Sequence, residues 1–279
     1  MALNCNSYFF KSVLSCQHKT DTMQKLLTIL LTGLLIISAC SSNSAPVLPI
    51  MLPDTAQPNS EQISDASCEN NLLPVTQGAA WVYSSTGGPN GDFIYSDTIT
   101  ETRPGGFTLT SNFPNQKVEQ VWMCTSEGLV AYQLGGGTTA SVSMQNMISG
   151  FKTLEVSGLS LPASITPGQT WNYKLTMEGS VATPEGTAQS PGIFELEMQE
   201  LGVETVTTPA GTFNATRMQA TFNAQISVDF QGSQVPYMVN GTSIIWYAPG
   251  VGYIKSIENI DFSGSTFTST TELQTYSIP

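Results

Sequence analysis

Histidine is nearly missing from this 279-residue chain, occurring once, as His18. It lies upstream of Cys40, before which the chain is expected to be cleaved, so the finished protein has no imidazole. That excludes a Ser-His-Asp or Cys-His relay, an HExxH zinc site and the usual switch near neutral pH. Charge is scarce as well, at 11% of residues, and positive charge most of all. Lys11, Lys19 and Lys25 precede Cys40, leaving six basic and twenty acidic residues beyond it, a net charge of -14. No two of the six cations are neighbours, so the clustered basic surface that binds nucleic acid by counterion release is excluded. There is no GxGxxG, P-loop, GxSxG or EF-hand pattern, and no cofactor or metal is expected. Oxygen ligands converging from distant loops on a calcium ion would leave no such local trace. The most apolar run, Leu26 to Ile37, spans twelve residues, well short of the ~20 that cross a bilayer as a helix.

What is present begins with that run. Met23 opens MQKLLTILLTGLLIISAC, in which Lys25 precedes the apolar stretch and Ser38 and Ala39 precede Cys40. This is the plan of a signal peptide over residues 23–39. Ile37-Ser38-Ala39-Cys40 resembles the lipobox of bacterial lipoproteins. The resemblance implies a diacylglycerol thioether on Cys40, cleavage before it, and acylation of the new amino terminus with palmitate-like chains. At ~0.8 kcal/mol per buried CH₂, three chains make attachment to a membrane effectively permanent. The expected location is the cell envelope, on the outer face of the cytoplasmic membrane or on the outer membrane. In two-membrane bacteria the same resemblance implies outer-membrane sorting, because Ser41 and not an Asp follows the cysteine. Residues 1–22 precede a complete signal and read as an upstream extension, with Met23 as the initiator; Val13-Leu14-Ser15-Cys16 has no apolar segment before it.

Residues 40–69 read as a lipidated tether, because the 27 residues between Cys40 and Cys68 are rich in Ser, Pro, Asn and Ala and lack steady periodicity. A flexible segment of that length has an end-to-end distance of roughly 30 Å. Cys68 and Cys124 are the remaining pair. In an oxidising compartment they are most simply a disulfide; a free buried thiol and a reactive thiolate are the alternatives, and no local cation favours the latter.

Past the tether the chain is strand-like. Met218, Ala220, Phe222, Ala224, Ile226, Val228 and Phe230 alternate with Arg217, Gln219, Thr221, Asn223, Gln225, Ser227 and Asp229. Period two over that length predicts a half-buried antiparallel strand, bent or bulged because it is too long to stay flat. Trp171, Tyr173, Leu175 and Met177 predict a second such face, and Phe194, Leu196 and Met198 a third. Pro209-Ala210-Gly211 and Pro249-Gly250 supply turns between strands. Gly78-Ala-Ala-Trp81-Val-Tyr83 recurs as Gly168-Gln-Thr-Trp171-Asn-Tyr173, each after a Leu-Pro pair. The expected fold is mainly β, a curved antiparallel sheet or half-barrel with little helix. It has two related halves, residues 70–150 and 151–279, packed as one domain or set in tandem.

The second half carries ITPGQTWNY, VTTPAGTFNATRM and WYAPGVGYIK in that order. Over roughly Leu161 to Ile278 it resembles the TapB-like group of exported bacterial β-proteins, and the resemblance implies a curved sheet similar to the half-barrels of the LolA and LolB carriers. It implies no catalytic residues.

Glu195 and Glu197 share a strand face about 7 Å apart, a spacing an inverting glycosidase would use; an outward solvated face explains them without chemistry. Ile244-Ile245-Trp246-Tyr247 is apolar on both faces. It is either a central strand covered on both sides or the wall of an apolar cavity, with Trp171, Tyr173 and Trp246 as candidate lining residues. The leading functional expectation is a non-enzymatic envelope module, anchored by lipid, that binds a hydrophobic or amphipathic ligand. A structural or adhesive surface module is the alternative, and a carboxylate-based hydrolase a third.

Overall fold

The computed structural model describes residues 68–135, 138–147, 149–183, 186–230 and 233–279. Residues 1–22, the signal at 23–39, Cys40 and nearly all of the tether lie outside them. Every described residue belongs to one compact unit, Ala56–Pro279.

The described residues form thirteen strands and one helix. The strands are β1 Ala80–Thr86, β2 Phe93–Arg103, β3 Gly106–Asn112, β4 Lys117–Cys124, β5 Gly128–Ala131, β6 Ser149–Gly158 and β7 Leu161–Pro162. After them come β8 Thr170–Thr183, β9 Gly186–Thr208, β10 Gly211–Phe230, β11 Ser233–Ala248, β12 Gly252–Phe262 and β13 Ser265–Ser277, while the helix, α1 Thr139–Met147, lies between β5 and β6. All thirteen strands belong to one antiparallel sheet, in the order β6-β8-β9-β10-β11-β12-β13-β1-β2-β3-β4-β5-β7. The expected mainly-β half-barrel is the observed architecture.

Curvature follows from the order itself. The sheet begins with β6 and ends with β7, yet these strands are separated in the chain only by Leu159 and Ser160. Leu159 N–H donates to Asn172 O on the β8 side and Ser160 N–H to Leu129 O on the β5 side, so one stretch of chain ties the two ends of the sheet together. Two glycines permit that seam. At Gly158, with φ of 77°, a Cβ would lie 2.0 Å from Asn172 O; at Gly128 it would lie 2.3 Å from Leu161 O. No side chain fits either approach.

The alternation in β10 does what period two predicts. Met218, Ala220, Phe222, Ala224 and Ile226 are all buried, while Thr221, Asn223 and Gln225 face solvent. A bulge between Arg217 and Met218 bends the strand, and turns fall at Pro209-Ala210 and Pro249 to Val251, where the sequence places them. The echoed Gly-x-x-Trp-x-Tyr segments are also equivalent in three dimensions. Gly78 and Gly168 both take positive φ after turns closed by Ala79 N–H to Thr76 O and Gln169 N–H to Thr166 O. Trp81 and Trp171 then open β1 and β8 on the buried face, and Tyr83 and Tyr173 follow two residues on. The two stretches lie in one sheet, since β1 pairs with β13.

The helix fills the curl. Thr138 caps its first turn, accepting from Ser141 N–H at its hydroxyl and from Val142 N–H at its carbonyl. Uncharged throughout, α1 buries Met144 completely among Tyr173, Leu175, Phe222 and Ile260. Asn90, in the β1–β2 turn, reaches Ser143 Oγ at 3.0 Å.

Candidate functional site

Alternation sends every second side chain of each strand to the inside of the curl, and the register decides which inner residues become neighbours. On one side Tyr83 lies opposite Tyr95, and Asp97 opposite both Trp81 and Ser111. On another, Ala220 lies opposite Ser243, which in turn lies opposite Glu258. Where large side chains meet small ones the filling is incomplete, and a cavity of about 230 Å³ remains. Tyr173, Phe194, Leu196, Phe222 and Ile245 supply apolar wall, together with Trp81 and Trp122. Leu134, Thr138 and Ser141 border it from the β5–α1 segment, and Leu73 from the segment after Cys68.

Four tyrosines, Tyr83, Tyr95, Tyr247 and Tyr253, give the same cavity an aromatic section. Tyr83 stacks on Tyr95 with ring centres 5.0 Å apart, and lies 5.2 Å from Tyr253, which is 5.9 Å from Tyr247. Tyr83 Oη donates to Tyr253 O at 2.9 Å and Tyr253 Oη to Ser256 Oγ at 2.6 Å, as buried phenols require. Burial raises the pKa of Tyr83, Tyr95 and Tyr253 well above the usual phenol value and pushes Tyr247 up to about 12, so all four rings are neutral at physiological pH.

The polar part of the wall holds two acids. Asp97 is 8% exposed and accepts from Ser111 Oγ at 2.5 Å. Burial lifts its pKa to about 7, against the lowering effect of that hydrogen bond, because a carboxylate loses more solvation than a carboxylic acid on entering a low-dielectric interior. Glu258, 1% exposed, accepts from Ser269 Oγ at 3.4 Å. Ser243 Oγ is buried in the wall with no hydrogen-bond partner. Among the lining residues there is no lysine or arginine. All six cations beyond Cys40 are in ion pairs away from it: Arg103–Glu101, Lys117–Glu119, Lys152–Glu178, Lys174–Glu195, Arg217–Glu204 and Lys255–Glu272.

Of the three aromatic residues singled out from the sequence, Tyr173 lines the cavity, with its Oη held by Ala131 O at 2.7 Å. Trp171, buried on the same inner face, is outside the lining. Trp246 faces the other way: Nε1 donates to Glu204 Oε1 at 2.6 Å, and its strand neighbours Ile245 and Tyr247 supply the wall instead. Glu195 and Glu197 are on the outer, solvated face, where Glu195 pairs with Lys174 at 2.8 Å. Sequence reasoning missed Asp97 and Glu258. Each interrupts an inner row, Tyr95-Asp97-Ile99 and Ile254-Ser256-Glu258-Ile260, and an acid amid an apolar alternation was the available signal.

Cys68 and Cys124 are joined by a disulfide, their Cα atoms 5.2 Å apart. Cys40 lies outside the described residues.

Sheet and cavity together define a class: an antiparallel sheet curled round a small chamber of mixed polarity. The model of the DUF3108-like family matches residues 120–273, more than half of the sequence, and the chain belongs to that family. No curated protein matches it. Two solved structures are similar over about three quarters of the chain. One, from Bacteroides fragilis, is described as an exported protein with a YmcC-like fold: 15% identity, TM-score 0.46, 75% of this chain and 100% of that one. The other, from Parabacteroides distasonis, is described as a lipoprotein: 16% identity, TM-score 0.46, 76% of this chain and 100% of that one.

Proposed function

We propose that the protein is an exported lipoprotein, anchored through Cys40 in the cell envelope, whose curled sheet is a non-enzymatic binding module for a small amphipathic molecule. The cavity carries this reading: it is lined by aromatic and aliphatic side chains yet also by Asp97, Ser243 and Glu258, so it suits a molecule with an apolar body and a polar group. At about 230 Å³ it falls below the ~300–1,000 Å³ of drug-sized sites. It therefore takes a single short chain or ring, or one arm of a larger amphiphile. The lipobox-like Ile37-Ser38-Ala39-Cys40 supports the anchor, and the two structures described as exported and as a lipoprotein agree with it. The same proposal includes the finer resemblance to the TapB-like group and to carriers of the LolA and LolB type.

Trp81 and Trp122 in the wall make occupancy visible. Titration with octyl glucoside below its micellar concentration is expected to give a saturable change in tryptophan fluorescence. Ala220→Phe, which directs a ring into the cavity from a buried wall position, is expected to weaken binding at least about ten-fold, the equivalent of about 1.4 kcal/mol. A cooperative thermal transition shows that the variant is folded. A linear response in wild type, or equal affinity in a folded Ala220→Phe protein, would sink the proposal.

A further inference from the structure

The ionisable carboxyl and ammonium-type groups of the chamber lining are all of one kind. The lining presents two carboxyl groups, Asp97 and Glu258, and no cation, while every lysine and arginine beyond Cys40 is paired elsewhere. An anionic headgroup, such as the carboxylate of a fatty acid, would find no lysine or arginine to neutralise it in a low-dielectric site. A protonated amine would find carboxyl groups able to ionise beside it. We infer that the chamber selects a cationic amphiphile, an alkyl or aryl ammonium whose N–H groups are received by Asp97, Glu258 and Ser243.

Three independent features agree. Ser243, 4% exposed, is a lining residue whose buried Oγ has no hydrogen-bond partner, so the hydroxyl has unused bonding capacity next to the space. It stands directly opposite Glu258 across the β11–β12 pair, so one ammonium group can address both. Next, the tyrosine rings in the same lining are uncharged, and their faces attract organic cations; Tyr95 and Asp97 are consecutive inner-face residues of β2. Finally, the apolar wall at Tyr173, Phe194, Leu196 and Phe222 provides for the hydrocarbon part.

The inference rests on the binding role proposed above, and its test separates the two. Octylammonium, octyl sulfate and octyl glucoside share one tail and differ in head charge. Calorimetric titration of the folded wild-type protein is expected to give octylammonium at least about ten-fold tighter binding than octyl glucoside, and no measurable binding of octyl sulfate. The Asp97→Asn, Glu258→Gln double variant is expected to bring octylammonium and octyl glucoside within about three-fold of each other while the glucoside still binds. Glu197→Gln, which removes one outer-face charge, is expected to leave the ten-fold preference in place. If all three compounds bind alike, or if the preference survives in the double variant, selection for a cation is wrong and the chamber remains a binding site. If none binds, the chamber reading and the inference fall together.

Discussion

Asp97→Asn is expected to stabilise the protein at pH 8 and to leave its stability unchanged near pH 3. In the folded chain the Asp97 pKa is raised from 3.8 to about 7 by burial. Below the lower value the side chain is protonated whether the chain is folded or not, and the acid costs nothing. Between the two values the unfolded chain has released its proton and the folded chain retains it, so stability falls as pH rises and levels off above about 7. The accumulated loss is on the order of 4 kcal/mol. An amide does not ionise, and its carbonyl still accepts from Ser111 Oγ, the contact now 2.5 Å long. Thermal melts from pH 3 to pH 9 should show the variant's midpoint above wild type by on the order of 10 °C at the alkaline end, converging toward acid. A variant equal to or weaker than wild type at pH 8 contradicts the burial of a costly acid. Retaining a destabilising carboxyl in a chamber wall fits a group kept for what it binds.

The second large effect concerns Cys68 and Cys124, 56 residues apart in sequence. Replacing both by alanine is expected to lower stability by about 4 kcal/mol, the chain-entropy cost of that loop, and the thermal midpoint by on the order of 10 °C. Wild type treated with a reductant should match the variant, and the variant should not respond to reductant. The bond also holds a short strap across the fold. Asn70 Nδ2 donates to Pro162 O, Gly250 N–H donates to Asn71 O, and Leu72 enters the core while Leu73 borders the cavity. Unchanged melting after reduction would show that the strap and sheet hold Cys68 in place without the bond.

Local pattern made the strands legible. The run from Met218 to Ile226 states its period, its buried face and, by its length, its bend; Pro209-Ala210-Gly211 and Pro249-Gly250 state the turns. Closure of the sheet was not legible, because it depends on Gly158 and Gly128 admitting carbonyls from β8 and β7, and no local pattern encodes such long-range approaches. The same limit applied to the site. Ile244 to Tyr247 is apolar at every position, so period two cannot say which face is inside; the register across β10 and β12 turns Ile245 and Tyr247 inward and sets Trp246 beside Glu204. Asp97 and Glu258 are separated by the whole span from β2 to β12, and only the strand order β12-β13-β1-β2 brings them to one chamber.

Native mass spectrometry of the full-length protein, extracted from its own envelope in mild detergent, reads the anchor and the chamber at once. The polypeptide mass should begin at Cys40 with covalent acyl chains added, and a non-covalent small molecule should accompany wild type and be absent from Ala220→Phe. A chain free of any adduct, or one carrying the same adduct in both proteins, would mean that the hollow in the sheet is not where this protein meets its ligand.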